Sequence, residues 1–137
     1  MYIFKTSGAT FGSVIRNQKH AFANKPREWY PGELVLISKN KKDCKYNEKQ
    51  IQYIMTIDNI RCLLKGEIEK LWPGNENRWK YLVECSNVKH ISQPFDLKDV
   101  IGEANYNESY HGVVCYKRLP LKDENMINKY IDEVGTF

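Results

Sequence analysis

Short apolar runs bounded by turn residues restrict the fold of this chain more than any other feature of its sequence. Pro31 and Gly32 form a turn dipeptide, and residues 34–37, LVLI, follow as a continuous apolar run. Over residues 51–57 every second side chain is apolar, which is typical of a strand that buries one face. Both segments therefore predict strands of a sheet.

The other periodic segments add further strands and several helices. Strands are also predicted at residues 2–5, 78–85 and 113–116. Helices are predicted after Thr10 as N-cap, over 95–101 with Asp96 as N-cap, and from Asp123 onwards, where apolar residues recur at helical spacing. This pattern predicts an α+β fold, a twisted, partly closed β-barrel of five to six strands flanked by two to three helices.

The length and composition are those of one globular domain. The chain has 137 residues, of which 42% are hydrophobic and 28% are charged. No apolar run reaches the roughly 18 residues that a membrane helix needs, and residues 1–6 lack the basic start and apolar core of a secretory signal. We therefore expect a single domain over residues 1–137, located in the cytoplasm.

Motifs that carry common enzyme chemistry are missing from the sequence. There is no GxxxxGK[ST] phosphate loop, no GxGxxG fingerprint and no GxSxG elbow. His20, His90 and His111 are far apart and lack metal-ligand spacing, and the four cysteines form no CxxC pair. We expect neither catalysis nor a bound metal or cofactor.

Positive charge is concentrated in two segments. The net charge of +4 hardly separates a nucleic-acid binder from other proteins by itself. The cations lie near the N-terminus and in a polar stretch between two predicted strands, at Lys5, Arg16, Lys19, Lys25 and Arg27, and at Lys39, Lys41, Lys42, Lys45 and Lys49. Each cluster is either a solvated surface or a phosphate-binding one.

Three aromatic residues lie beside turns or basic residues. Trp72 and Trp29 each come shortly before a Pro-Gly turn, and Phe22 lies just beyond the first predicted helix. A base stacked on an aromatic ring gains about 1–3 kcal/mol whatever its identity, and neighbouring cations bind the flanking phosphates. The three residues predict a base-binding pocket, and the alternative for each is a ring packed in the core.

Hydrogen-bonding groups near these aromatic residues can supply the base specificity that stacking alone cannot give. Thr6 and Ser7 end the first predicted strand, and Ala23 and Asn24 follow Phe22 directly. We therefore expect these four residues to contact the edge of the base.

Several local motifs resemble, in the same order, the YTH and EVE domains of the PUA-like superfamily. Residues 2–7, YIFKTS, resemble the first strand of that family, and residues 32–38, GELVLIS, resemble its strand of glycine, hydrophobic run and serine. Residues 13–23 resemble the stretch that ends with the first cage aromatic, and residues 71–73, LWP, the segment with the second cage tryptophan. Residues 78–83, RWKYLV, resemble the strand that follows, so that the resemblance covers essentially the whole chain.

The resemblance implies a PUA-like fold of the YTH/EVE type and a pocket for one base flipped from its strand. In YTH domains that base is N6-methyladenine in RNA, and related prokaryotic domains are specificity modules of McrB-type restriction systems that act on modified DNA. By position, Arg118 corresponds to the phosphate-binding arginine of the family. The expected cage residues are Trp72, Phe22 and Trp29, and the expected phosphate-binding residues are Lys5, Arg16, Lys19, Lys25, Lys41, Lys42 and Arg118.

Three functions stay open at this stage, in order of preference. The first is a reader of a modified base, with N6-methyladenine favoured and DNA favoured over RNA, fused to or associated with an AAA+ GTPase or ATPase and a nuclease. The second is a standalone EVE- or YTH-like protein that binds modified RNA. The third is a PUA-like domain with a small-molecule or enzymatic role.

Overall fold

The computed structural model describes all residues from 1 to 137, with six strands and five helices. The strands are β1 Tyr2–Thr6, β2 Lys19–Phe22, β3 Leu34–Lys39, β4 Ile51–Cys62, β5 Tyr81–Phe95 and β6 Tyr116–Arg118. The helices are α1 Gly8–Asn17, α2 Glu67–Leu71, α3 Leu97–Ile101, α4 Glu103–Ser109 and α5 Leu121–Val134, and a 3-10 turn covers Lys41–Asp43. None of these helices combines the length and apolar character needed to cross a membrane.

The six strands form one sheet in the order β2-β5-β4-β3-β1-β6. Only β1 and β3 pair in parallel, and all other neighbours are antiparallel. The long pair β4 and β5 shifts register three times, between Ile51 and Tyr53, between Ile54 and Thr56, and next to Ile57. Such bulges bend a strand and increase its twist, so that the sheet curls.

The curl brings the two edges of the sheet together along a gap that we call the seam, between β2 and the β1–β6 edge. No backbone pairing joins these edges. Side chains bridge the gap instead: the Phe22 ring centroid lies 4.9 Å from those of Phe4 and Tyr116, and Thr6 Oγ1 lies 3.0 Å from His20 Nε2. The partly closed α+β barrel predicted from the sequence is confirmed, with five helices instead of two to three.

Two hydrophobic clusters form the core, one on each face of the curled sheet. Alternation along β1 directs Tyr2 and Phe4 into the barrel, whereas Ile3 packs on the outer face. Val14 of α1 joins the inner cluster, and Ile127 of α5 joins the outer one. The helices thus cover both faces of the sheet and leave the seam open to solvent.

Three elements are missing from the sequence prediction because they are short. β2, α2 and α4 have four, five and seven residues, which is too few for hydrophobic periodicity to show. β5 continues to Phe95 rather than ending at residue 85, since its second half is half-buried and polar and is held by pairing with β4. Predicted strand 113–116 is displaced to β6, because pairing with β1 sets Tyr116 opposite Phe4.

Both predicted N-caps need correction. α1 begins at Gly8 with Ser7 as its N-cap, so Thr10 lies inside the first turn, where its hydroxyl is 2.9 Å from Ser7 Oγ. Asp96 does precede α3, but its carboxylate makes no capping bond. It accepts hydrogen bonds from the Gln50 N–H at 2.9 Å and from Lys41 Nζ at 3.0 Å. Asp96 thus ties α3 to the chain before β4.

Candidate functional site

A cavity of about 180 Å³ lies at the seam, and we call it the seam cavity. β1 and the start of α1 form one side, and β2 forms the other. The rest of the wall comes from the residues just before β5 and from the loop before β6. The lining residues that matter below are Lys5, Thr6, Ser7, His20, Phe22 and Asn40, together with Arg78, Trp79, Val114 and Cys115.

His20 and Phe22 form the floor of the seam cavity. They are two residues apart on β2, so both side chains lie on the same face of the strand. Their rings stack with centroids 4.5 Å apart and an interplanar angle of 21°. Phe22 is only 3% exposed, since Phe4 and Tyr116 meet its edges. Its ring shapes the cavity but has no free face.

His20 gives this floor a neutral polar group. Burial lowers the pKa of His20 to about 4, and hydrogen bonds to the backbone of Ala21 and Lys5 oppose only part of that shift. At neutral pH the imidazole is therefore uncharged, with one nitrogen that donates and one that accepts. It is held in place by Thr6 Oγ1 at 3.0 Å from Nε2 and by the Ala21 carbonyl oxygen at 3.2 Å from Nδ1.

Trp79 supplies the aromatic wall. It is half-buried and lies in the segment just before β5. The Arg78 guanidinium lies 4.9 Å from the Trp79 ring centroid, which is within cation–π range. Trp72 stands behind it, edge-on, with ring centroids 5.5 Å apart and an angle of 75°. Trp79 is thus backed by one aromatic ring and flanked by a cation.

The mouth of the cavity is polar on one side and apolar on the other. Asn40 and the paired hydroxyls of Ser7 and Thr10 form the polar side. Val114, which is 82% exposed, and the exposed Cys115 form the apolar side. A flat, mostly apolar group with polar edges fits such a mouth.

A second cavity of about 500 Å³ adjoins the first, and Lys5 and Asn40 line both. We call it the lysine chamber, because Lys5, Lys41, Lys42 and Lys98 line it, against two carboxylates, Asp96 and Glu103. Burial alone would raise the pKa of Asp96, but its hydrogen bonds from the Gln50 N–H and Lys41 outweigh burial, and the pKa is lowered. Asp96 is thus ionised and paired, and the chamber keeps a positive balance.

Solved structures with the same arrangement of elements come from the ASCH protein of Zymomonas mobilis. One superposes with a TM-score of 0.62 at 8% identity over 93% of each chain. A serine-to-alanine variant gives 0.63 at 8% identity over 94% of each chain, and a tyrosine-to-phenylalanine variant gives 0.57 at 7% identity over 93% of this chain and 96% of that one. The chain has the ASCH fold.

The ASCH fold is PUA-like, so the fold that the resemblance implied is confirmed. The narrower likeness to YTH and EVE domains stays a prediction. No protein-family model matches the sequence, and no curated protein matches it either.

Within the ASCH fold, the three predicted cage residues lie in different surroundings. Phe22 lines the seam cavity. Trp72 is 4% exposed and packs in the inner cluster behind Trp79, outside the cavity lining. Trp29 is half-buried and packs against the same cluster. The exposed aromatic surface at the cavity is therefore that of Trp79, which sequence reasoning assigned to a strand.

The predicted base-edge residues divide into two pairs. Thr6 and Ser7 line the seam cavity as expected from their place at the end of β1. Ala23 and Asn24 are exposed in the loop after β2 and do not line it. The chain leaves the seam directly after Phe22, which takes the next two residues into solvent.

The predicted phosphate-binding residues are scattered. Lys5 lines both cavities, and Lys41 and Lys42 line the lysine chamber. Neither cavity is lined by the remaining four, which are Arg16, Lys19, Lys25 and Arg118. Only the N-terminal half of the lysine-rich stretch thus joins the site.

Arg118 is engaged by a buried carboxylate. Its Nη1 donates to Glu33 Oε2 at 2.6 Å, and its guanidinium lies 4.6 Å from the Tyr2 ring centroid. Glu33 is fully buried, and its other carboxylate oxygen has no hydrogen-bond partner. Arg118 thus neutralises a buried charge, which accounts for its place beside β1.

His20, Arg78, Trp79, Asn40 and Val114 line the seam cavity without having been predicted as site residues. A strand assignment for residues 19–22 would have placed His20 on the same face as Phe22. An Arg-Trp pair just after an Asn-rich turn was a second usable signal. Asn40 and Val114 carry no signal of their own, since only the curl of the sheet brings their loops to the seam.

Proposed function

We propose that this chain is a nucleic-acid-binding module that captures a single base in the seam cavity. One observation carries the proposal: a half-exposed tryptophan, neutral hydrogen-bonding groups and a lysine-lined exit converge on one small cavity. Stacking, edge recognition and phosphate binding are the three requirements for holding one base of a strand.

The size of the cavity supports a base over a larger ligand. Pockets for drug-sized molecules hold about 300–1,000 Å³, whereas the seam cavity holds about 180 Å³. A single planar ring system suits that space. The rest of a nucleotide would then leave through the mouth, where Lys5 and Asn40 open into the lysine chamber.

The neutral interior supports a base over a charged group. His20 is uncharged at neutral pH, and Thr6 and Ser7 contribute hydroxyls. A pKa near 4 also makes His20 a weak general base at pH 7, because proton transfer is most efficient when the pKa lies near the working pH. We therefore propose binding without catalysis.

N6-methyladenine in DNA is the favoured ligand within this proposal. Val114 and Phe22 offer apolar surface to a methyl group at the cavity, and burying one methyl contributes about 0.8 kcal/mol, or about fourfold in affinity. The choice of DNA, and an association with the AAA+ motor and nuclease of a restriction system, rest on the resemblance to McrB-type specificity modules.

Fluorescence anisotropy at a fixed salt concentration tests the proposal. The probes are matched single strands of DNA and RNA that carry adenine, N6-methyladenine, cytosine or 5-methylcytosine at one position. We expect Trp79→Ala to weaken binding by about 1–3 kcal/mol, whereas Tyr46→Ala, which removes a 94% exposed ring remote from both cavities, leaves it unchanged.

Three outcomes decide between the readings. A preference for N6-methyladenine in DNA supports the favoured ligand, and a preference for RNA replaces DNA while base capture stands. The proposal fails if no probe binds, or if Trp79→Ala and Tyr46→Ala bind equally.

A further inference from the structure

The lysine chamber contains a buried side-chain amide without a partner. Gln50 is 4% exposed and lines the chamber just before β4. Its backbone is fixed, since the N–H donates to Asp96 Oδ1 at 2.9 Å and the carbonyl accepts from the Lys39 N–H at 3.0 Å. Its side-chain amide forms no hydrogen bond within the chain. A buried amide normally finds partners, so Gln50 presents a donor and an acceptor to whatever occupies the chamber.

Asn40 presents a second free amide at the junction of the two cavities. Its backbone N–H donates to the Thr6 carbonyl at 2.8 Å, which anchors it beside β1. Its side chain lines both the seam cavity and the lysine chamber and has no hydrogen bond within the chain. Lys5 Nζ stands at the same junction, 5.7 Å from the Tyr106 ring centroid. The junction therefore joins a cation, an amide and an aromatic ring.

The charges of the chamber are suited to a phosphate and its neighbours. Lys42 and Lys98 are exposed and form no ion pair. Asp96, in contrast, is already paired with Lys41. A phosphate at the junction meets Lys5 without facing an unpaired buried carboxylate.

Amides and aromatic rings in this setting recognise nucleobases. Side-chain amides of Asn and Gln form paired hydrogen bonds with the edge of adenine, and a ring such as that of Tyr106 adds stacking surface. Since Lys5 and Asn40 line both cavities, a strand whose base fills the seam cavity continues directly into the chamber.

We infer that the lysine chamber is a second nucleotide subsite and that the ligand is a strand segment with two adjacent unpaired nucleotides. One base lies in the seam cavity, the linking phosphate contacts Lys5, and the neighbouring base meets the Gln50 amide beside Tyr106. This inference rests on the proposed function. It adds that the neighbouring nucleotide leaves the duplex as well, because a base inside the chamber cannot keep its complement.

Ligand length provides the first test. We expect a dinucleotide to bind the wild-type chain about tenfold more tightly than the corresponding nucleoside monophosphate, the gain of one recognised base edge. Gln50→Met fills a similar volume and keeps both backbone bonds, so it should remove that gain and leave the monophosphate affinity unchanged. Gln93→Met is the control, because Gln93 is exposed and lines neither cavity.

The results separate the inference from the proposed function. Equal affinities of monophosphate and dinucleotide for the wild-type chain would overturn the second subsite while base capture stands. An unchanged dinucleotide gain in Gln50→Met would also overturn it. Absence of binding by monophosphate, dinucleotide and an eight-nucleotide strand alike would overturn base capture and the second subsite together.

Bulged duplexes test the requirement for two unpaired nucleotides. Two hairpins are compared, one with a single unpaired nucleotide and one with two, each carrying the preferred base on the 5′ or 3′ side. We expect the two-nucleotide bulge to bind about tenfold more tightly on one of these sides. Equal binding of both bulges on both sides would contradict the inference.

Discussion

At the scale of single residues, His20 joins binding to stability. Its ring is neutral because it is buried between Phe22, Phe4 and the Thr6 hydroxyl. The same burial means that unfolding exposes an imidazole with a much higher proton affinity. The side chain that keeps the cavity uncharged is therefore also a sensor of acid.

Stability should fall with pH in a window set by His20. Its pKa is about 4 in the folded chain against an ordinary 6.5, so between these values the unfolded state binds more protons. The stability due to neutral His20 is present above pH 6.5 and is lost as the pH falls towards 4, up to about 3 kcal/mol. Urea unfolding at pH 7, 5.5 and 4 should show this slope in the wild type, and a flatter one in His20→Gln.

The carboxylates titrate in a different window, which makes the assignment to His20 specific. A backbone hydrogen bond at Glu48 and the Arg61 side chain beside Glu67 lower the pKa of each carboxyl to about 2. Their contribution is present above about pH 4.5 and is lost only below it. Equal slopes for wild type and His20→Gln between pH 6.5 and 4.5 would refute the role of His20.

Arg118 gives a second prediction at this scale. Arg118→Met leaves the Glu33 carboxylate buried without its nearest cation, and we expect a loss of about 2 kcal/mol, reduced from the cost of a fully buried pair because the guanidinium is one-third exposed. Denaturant unfolding measures the loss, and Glu33→Gln in the same chain should recover part of it. Arg27→Met, an exposed arginine beside it, is the control. Unchanged stability with a weaker salt dependence of binding would return Arg118 to a phosphate-binding role.

At the scale of elements, the two tryptophans around α2 have separate tasks. Trp72 ends α2 inside the inner cluster, whereas Trp79 lies just before β5 at the cavity. Their positions in the sequence were equally compatible with a cage, since both lie close to the same Pro-Gly turn. Burial alone distinguishes them, and burial depends on how α2 packs against the barrel.

Trp72→Ala and Trp79→Ala should therefore have opposite effects. Trp72→Ala removes a ring that is 4% exposed, and we expect it to destabilise the fold by about 3–5 kcal/mol. Trp79→Ala should weaken binding with a much smaller loss of stability. Thermal unfolding and anisotropy on the same two preparations measure both effects, and the prediction is wrong if Trp72→Ala is as stable as Trp79→Ala.

The sequence predicts the central strands better than the edges for a physical reason. β3 and β4 bury whole faces, so their apolar runs and alternation show directly in the sequence. β2 has four residues and pairs on one side only. The second half of β5 carries polar residues, and its strand conformation depends on pairing with β4. Elements that depend on partners leave little local pattern.

At the scale of the whole molecule, the fold class was predictable from the sequence and the site was not. Strand-length apolar runs determine an α+β sheet, and their order supports a PUA-like fold. The seam cavity instead gathers residues from distant segments, such as Thr6, Phe22, Asn40, Trp79 and Val114. Their meeting depends on how far the bulged strands curl the sheet, which no single segment encodes.

The open seam should also show in amide hydrogen exchange. β2 pairs only with β5, whereas β3 lies between β4 and β1, so we expect β2 amides to exchange faster than those of β3. A bound oligonucleotide should slow exchange in β2 and leave β3 unchanged, since the ligand bridges the seam. Equal protection of both strands in the free protein would contradict this prediction.

Because side chains alone bridge the seam, the pocket can be redesigned separately from the scaffold. Phe22 and Tyr116 set the depth of the cavity, and exchanging either ring for a smaller one breaks no backbone hydrogen bond of the sheet. A panel of variants at these two positions should yield modules with graded pocket depth on one common framework. Larger or differently modified bases then become engineering targets for the same chain.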